Sequence, residues 1–529
     1  MERAGGSSTL ASEPFAKSSP LPPMSLLHAM PATGLPESVP ATKLVDFSGR
    51  LLVIGAGAVG TASLPLILKH VRITPCQITL LTGDDRADIA HELAREFPGL
   101  TVVLFWLEEG NFASELTKYV SAGDMIVSLS VGVSSVAVLE WCAERDVLYL
   151  DTVVEPWGGF YFDTRLSASD RSNYALRESA LRLKRRLGTD SATAVLSHGA
   201  NPGLISHFVK AGLLHVAARL GGLGGDAAAH SAPTSRAEWA ALAQRLGLKA
   251  VHVAERDTQV QSGTKKPNEF INTWSVDGFI GEGCQPAELG WGTHEKALPP
   301  KGARHPPGGC DAAIYINRPG ASMRVRTWAP SSGPFHGFLI THNEAISLAD
   351  YFTVRGASPG APAAYRPTVH YAYRPCGDAI VSLHEFAGRG WVEQQHKRIL
   401  CDEIVAGSDE LGALLMGTDP ATGTHYAYWY GSQLDIHQAR RLATHNTATT
   451  LQISSAVLAA TIWAMRNPRC GLVEAEELPH EEILSVCMPY VAPVVGAFTD
   501  WTPLQNRSAL FDEDVDTDDP WQFKNVAVE

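Results

Sequence analysis

A basic excess is what this sequence most plainly lacks. Its 43 Lys and Arg are outnumbered by 56 Asp and Glu, for a formal charge of −13 at pH 7. A surface that binds nucleic-acid phosphates needs clustered positive charge, so nucleic acid is not an expected partner, whereas cations are. Also missing is any uninterrupted apolar run near the roughly 20 residues of a membrane span, so no membrane partner is expected. The eight cysteines stand at 76, 142, 284, 310, 376, 401, 470 and 487. They form no Cys-x-x-Cys pair and no zinc-like spacing, the pattern of reduced thiols in an intracellular chain, and a cytoplasmic location is expected. No two histidines or acids show a ligand-like spacing, so no metal is expected. Residues 1–45 are rich in Ser, Pro and Ala, carry few charges and show no periodicity. Without the apolar core of a secretory signal or the Arg richness of a transit peptide, they read as a disordered extension.

What is present begins at Leu51-Leu52-Val53-Ile54-Gly55-Ala56-Gly57-Ala58-Val59-Gly60. An apolar, β-branched run that stops on spaced glycines is a buried strand turning sharply into a helix. Gly55 serves the tight turn, Gly57 the approach of a pyrophosphate, and Gly60 the packing of helix on strand. Ala58 and Val59 belong to the same cradle, where the free N–H groups of the helix start favour phosphate. Pro65 is a blemish, expected to cost the helix one hydrogen bond.

At 529 residues the chain is too long for one core, and about 150 residues per domain suggests two to four. Strand-like runs at 51–54, 77–81, 101–105, 124–129 and 147–150 alternate with helical stretches near 61–71, 85–97, 111–120 and 134–145. That alternation gives an α/β fold, a Rossmann-type doubly wound parallel sheet over 46–195 with its ligand beyond the carboxyl ends of the strands. After the second strand, Thr82 stands where an acid would normally hold the adenosine ribose. Asp84 is close enough to substitute and Arg86 close enough to favour a 2′-phosphate, so NAD and NADP both stay open. Ser130 and Thr152 follow the fourth and fifth strands and should line the cofactor crevice.

Beyond 196 a helix is expected over 204–220, then a Gly/Ala/Pro linker at 221–233. The stretch from about 250 to 435 is poor in helical periodicity and full of short β-like runs, read as a second α+β domain on a mixed or antiparallel sheet spanning 196–445. An apolar helix at 448–466 and an acidic tail should pack back on the first domain from 446 to 529. The densest chemistry lies at Glu255-Arg256-Asp257, Asn272 to Phe279, Glu282, Glu288 and Trp291. Indole faces among carboxylates are how a protein binds an ammonium group. His342 and His370 are candidates for proton transfer near neutral pH.

Asp151-Thr152-Val153-Val154-Glu155-Pro156-Trp157, Gly199-Ala200-Asn201-Pro202-Gly203, Asn272-Thr273-Trp274-Ser275-Val276 and Thr341-His342-Asn343-Glu344 now add up. With further blocks at 172–178, 254–259, 285–292, 430–434 and 519–523, they resemble the bacterial homospermidine synthases, relatives of the saccharopine dehydrogenase-like reductases. The resemblance runs from about Val45 to the C-terminus. It implies a homodimer that joins two putrescines, or spermidine and putrescine, into sym-homospermidine. Ammonia, or 1,3-diaminopropane, is released. It also implies a tightly held NAD that is reduced and reoxidised in each turnover. Position by position, Glu155, Glu255 and Glu282 match amine-binding acids, Trp274 a cation–π residue, and Asn201 and His342 residues of the same pocket. Two positions depart from the pattern. Gly132 stands where an Asp is expected beside the nicotinamide, and Thr82 where a ribose-binding Asp is expected. The competing expectations are an NADPH-consuming carboxynorspermidine or saccharopine-type reductase, with Arg324 and Arg326 holding a substrate carboxylate, and a non-catalytic polyamine or dinucleotide binder.

Overall fold

The structure is a computed structural model and describes residues 36–220, 233–358 and 361–528. The extension expected at 1–45 lies outside them as far as residue 35, and the linker expected at 221–233 lies outside them but for its last residue.

Seven parallel strands form the first sheet, in the order Leu472–Glu474, Ala194–Leu196, Leu148–Asp151, Met125–Ser128, Leu51–Ile54, Ile78–Thr82 and Thr101–Leu104. Every residue of Leu51–Ile54, Met125–Ser128 and Leu148–Asp151 is buried. Central parallel strands are covered on both faces, which is why they read as continuous apolar runs. The strand order reverses between Leu51–Ile54 and Met125–Ser128, which places the ligand crevice beyond their carboxyl ends. The helix Ala58–His70 starts inside the glycine stretch and runs through Pro65. The helical stretch expected at 111–120 is shorter, Phe112–Leu116. Beyond it Lys118 and Tyr119 turn back onto the two oxygens of buried Glu115, at 2.5 and 2.7 Å.

The second sheet has eleven strands and is mixed. Its centre is Leu248–Asp257, parallel to Thr368–Arg374 on one side and antiparallel to Ser408–Thr418 on the other. Three helices occupy the stretch expected to be poor in them: Val276–Cys284, Asn343–Tyr351 and Gly377–Gly388. All nine residues of Asn343–Tyr351 are buried. Its polar residues Asn343, Glu344, Ser347 and Asp350 recur at helical spacing but are buried with the apolar ones, so the stripe faces other protein and not water.

Residues 446–529 are divided between the two sheets. Leu472–Glu474 closes the parallel sheet, whereas Val494–Thr499 and Ala527–Val528 pair in the mixed one. The helix Ala448–Arg466 packs against Ala58–His70 and touches strands of both sheets. Only Ile453 and Arg466 of its 19 residues escape burial. It is apolar and long enough to cross a membrane, but 89% of its apolar window lies inside the protein. The acidic tail is anchored at both ends by Trp501 and Trp521, each 1% exposed and clustered with Trp429.

Candidate active site

The carboxyl ends of the parallel strands meet the mixed sheet around a cavity of about 110 Å³. Glu155, Asn201, Glu255, Trp274, Glu282 and His342 all line it, together with Val59, Ser130 and Thr152 from the cofactor side. Among the described residues no Lys or Arg lines it.

Local structure explains the convergence. Ser275 caps the helix Val276–Cys284 by accepting from Gly278 N–H at 3.0 Å. Gly278 and Glu282 are four apart and so share one helix face, and Trp274 stands just before the Ser275 cap. A Cβ on Gly278 would stand 3.1 Å from the Trp274 ring, so the missing side chain lets the indole lie close against the helix. Trp274 Nε1–H donates to Tyr373 Oη at 3.1 Å, which fixes the indole where it lines the cavity.

Glu255 projects near the end of Leu248–Asp257 and is 3% exposed. Its Oε2 accepts from Tyr371 Oη at 2.6 Å and Asn201 Nδ2 at 2.8 Å. Burial pushes this carboxyl up to about 7, with those two donors holding it back. Glu155 is pushed further, to about 8, by burial and then by the negative charge of Glu282; the Gly132 backbone N–H works the other way. Glu155 Oε2 has no hydrogen-bond partner, so a buried carboxylate oxygen is left for a ligand.

His342 caps no helix with its side chain, although it stands just before Asn343–Tyr351. Its Nε2 lies 3.1 Å from Glu282 Oε2 and its Nδ1 3.1 Å from Glu344 Oε1. The ring stacks on Tyr371 at 4.2 Å. Burial favours the neutral imidazole, but the carboxylates of Glu344 and Glu282 outweigh it and hold His342 well above its ordinary value. The result is an imidazolium between two acids, with Tyr371 joining it to Glu255.

A second cavity, about 440 Å³, lies beyond Ile54 and Thr82 and shares Ser130 and Val131 with the first, so the two form one cleft along the sheet edge. The glycine cradle fits a dinucleotide. A Cβ on Gly60 would overlap Gly55 O at 2.0 Å, and Gly55 sits at φ +105°. Above Gly57 there is nothing within 4 Å, leaving space for a phosphate. The helix Ala58–His70 has no side-chain cap and no acid in its first turn, so its N–H groups are free for an anion.

Other residues singled out in the sequence lie elsewhere. Glu288 is fully buried and caps the helix Asn173–Leu187, accepting from Asn173 and Tyr174 N–H at 2.8 and 3.2 Å. Trp291 is a core residue against Phe523, and Asp277 pairs with Lys397. His370 lies in the interior with its ring tilted against His252 at 4.0 Å, and does not line the cavity. Arg324 lies over the Phe338 ring, Arg326 donates to the carbonyls of Pro503 and Gln505, and neither lines the cavity where a substrate carboxylate would have to be held. Among the described residues no group of three or more His, Cys, Asp or Glu could hold a metal ion. Sequence reasoning missed Tyr371, Tyr373 and the partner role of Glu344. Alternating tyrosines on a buried strand carry the same pattern as core aromatics, so no signal separates them.

Two family models match the chain: the saccharopine dehydrogenase NADP binding domain over residues 51–195 and the saccharopine dehydrogenase C-terminal domain over 199–496. The homospermidine synthase of Blastochloris viridis is 49% identical over 484 residues, covering 91% of this chain and 97% of that protein. That of Mesorhizobium japonicum is 46% identical over 487 residues, again covering 91% and 97%. The crystal structure of the homospermidine synthase from Legionella pneumophila in complex with NAD matches with a TM-score of 0.82 and 42% identity, covering 92% of this chain and 99% of that one.

Proposed function

The chain belongs to the homospermidine synthase family of saccharopine dehydrogenase-like proteins, and from that membership we propose how its cavity joins two putrescines into sym-homospermidine with release of ammonia. The observation that carries the reading is the lining of the cavity: three carboxyl groups, one indole and, among the described residues, no Lys or Arg. Such a lining accepts a dication and rejects a substrate carboxylate, which argues against the reductase alternative.

NAD is the cofactor, and when bound it supplies the hydride acceptor and, once reduced, the donor for the returning hydride. Gly55, Gly57, Ala58, Val59 and Gly60 cradle its pyrophosphate, and Ser130 and Thr152 flank its reactive end. Glu155, with an unpartnered oxygen, and Glu255 bind the two ends of the diamine. Asn201 and Tyr371 hold Glu255 in place. A primary ammonium must lose a proton before a hydride can leave its carbon, and Glu255, near 7, is poised to take it. Oxidation turns the carbon–nitrogen bond into an iminium. The Trp274 face stabilises that cation, worth about 0.5 to 2 kcal/mol depending on desolvation. The second diamine then adds, ammonia leaves, and the resulting Schiff base is reduced. Proton transfers in this exchange fall to the Glu282–His342–Glu344 series, the cavity's hydrogen-bonded chain of titratable groups. Spermidine as donor would release 1,3-diaminopropane by the same steps.

Incubation of the purified chain with putrescine and catalytic NAD⁺ tests this. Homospermidine and ammonia should accumulate in equal amounts without build-up of NADH. Steady NADH formation, or no product from putrescine, would refute it.

A further inference from the structure

The adenosine end of the cleft departs from the usual arrangement, because Thr82 stands where an acid normally takes the ribose hydroxyls. Its hydroxyl has another task. Thr82 Oγ1 accepts from the Ala56 N–H at 3.2 Å and is buried, so it pins the glycine turn from below.

The second cavity has an unusual wall just above. Trp106 is 57% exposed, although a large aromatic side chain on an ordinary surface would gain by burial. It lies directly on the loop after the second strand, where a Cβ on Gly83 would stand 2.6 Å from the indole. Its Nε1–H donates to Asp84 Oδ1 at 2.7 Å. Asp84 Oδ2 has no protein partner among the described residues. Arg86, the residue able to favour a 2′-phosphate, is turned onto Asp85, with Nε 3.4 Å from Oδ2. Glu108 and Glu109 add further negative charge along the same cavity.

We propose that Asp84, held by the Trp106 indole N–H, is the carboxylate that takes the adenosine ribose hydroxyls, and that this pair selects NAD over NADP. The inference rests on the dinucleotide reading of the glycine cradle and adds the residues that discriminate. A ribose with two free hydroxyls can donate to the open Asp84 oxygen. A 2′-phosphate would meet Asp84, Glu108 and Glu109 with its own negative charge and find Arg86 already paired. The exposed indole face offers the adenine a stacking surface beside that carboxylate. Asp84 thus supplies, two residues further on and on an indole support, the charge that the second strand's end lacks.

The test is direct binding, measured by calorimetry on the full chain freed of cofactor. The native chain should bind NAD⁺ more tightly than NADP⁺. Asp84→Asn, a surface change, should weaken NAD⁺ by about tenfold or more while leaving NADP⁺ unchanged or improved, so that discrimination shrinks. Trp106→Phe keeps a ring but removes the N–H, and should lose part of the same discrimination. If both variants keep the native NAD⁺/NADP⁺ ratio, the assignment is overturned while the dinucleotide reading stands. If the native chain binds NADP⁺ as tightly as NAD⁺, the selectivity claim fails. If it binds neither, the dinucleotide reading itself falls.

Discussion

The Nε2 of His342 lies 3.1 Å from the Oε2 of Glu282, while the other ring nitrogen is held at the same distance by Glu344. A histidine with an acid at each ring nitrogen is held in its doubly protonated form, and the proton on Nε2 is shared with the group that faces the substrate. His342→Gln and Glu282→Gln should each lower kcat for homospermidine formation by about a hundredfold or more. The double variant should fall little further, since the two act as one unit. Additive losses in the four-way kinetic comparison would separate their roles and refute the relay.

Tyr371 donates to Glu255 at 2.6 Å and helps keep it ionised. Tyr371→Phe should therefore raise KM for putrescine about fivefold at neutral pH, the weight of one hydrogen bond. At pH 9, where Glu255 is ionised without help, the difference should disappear. A KM penalty constant across that range would show that the hydroxyl acts through packing alone.

Trp274 lines the cavity with its Nε1–H held by Tyr373. Trp274→Phe leaves a poorer cation–π surface and should lower kcat by about 2- to 30-fold, with a smaller change in KM. Steady-state rates with putrescine check this, and an effect confined to KM would assign the indole to ground-state binding.

Glu155 and Glu255 are displaced upward from the ordinary Glu value of 4.5, to about 8 and about 7. A carboxyl whose folded-state pKa lies above its unfolded value contributes stability that is fully present below the unfolded value. That contribution is lost as pH rises through the folded one. The ligand-free protein should therefore lose stability from about pH 5 to about pH 8, with these two groups adding no further loss above it. Putrescine, which needs both groups ionised, should raise Tm more at pH 9 than at pH 6. Thermal melts with and without diamine decide it, and a ligand shift independent of pH over that interval would count against the two assignments.

Glu288 satisfies two helix N–H groups and the Thr341 hydroxyl from a fully buried position. Glu288→Ala should cost about 2 to 4 kcal/mol of stability, measured by denaturant unfolding. A near-neutral result would mean that buried water replaces the carboxylate.

The parallel sheet was legible because its strands are buried on both faces, and a continuous apolar run that ends on spaced glycines is rare outside such a sheet. The glycine cradle was legible for a related reason: close backbone approach leaves no other residue type at Gly60. The acids, the indole and the imidazole at 155, 255, 274, 282 and 342 were named from local pattern and family likeness. Their common cavity was not visible, because they come from separate segments of the chain. Glu288, in the same acid-rich stretch, shows the limit. Its chemistry matches that of its neighbours, and only its position under a helix start makes it a cap. Sequence by itself determined what each segment could do, through burial period, turn chemistry and side-chain type. Which carboxyl groups are forced together, desolvated and raised toward neutral pH was decided by tertiary structure alone, because electrostatic work depends on distance and burial, and chain order records neither.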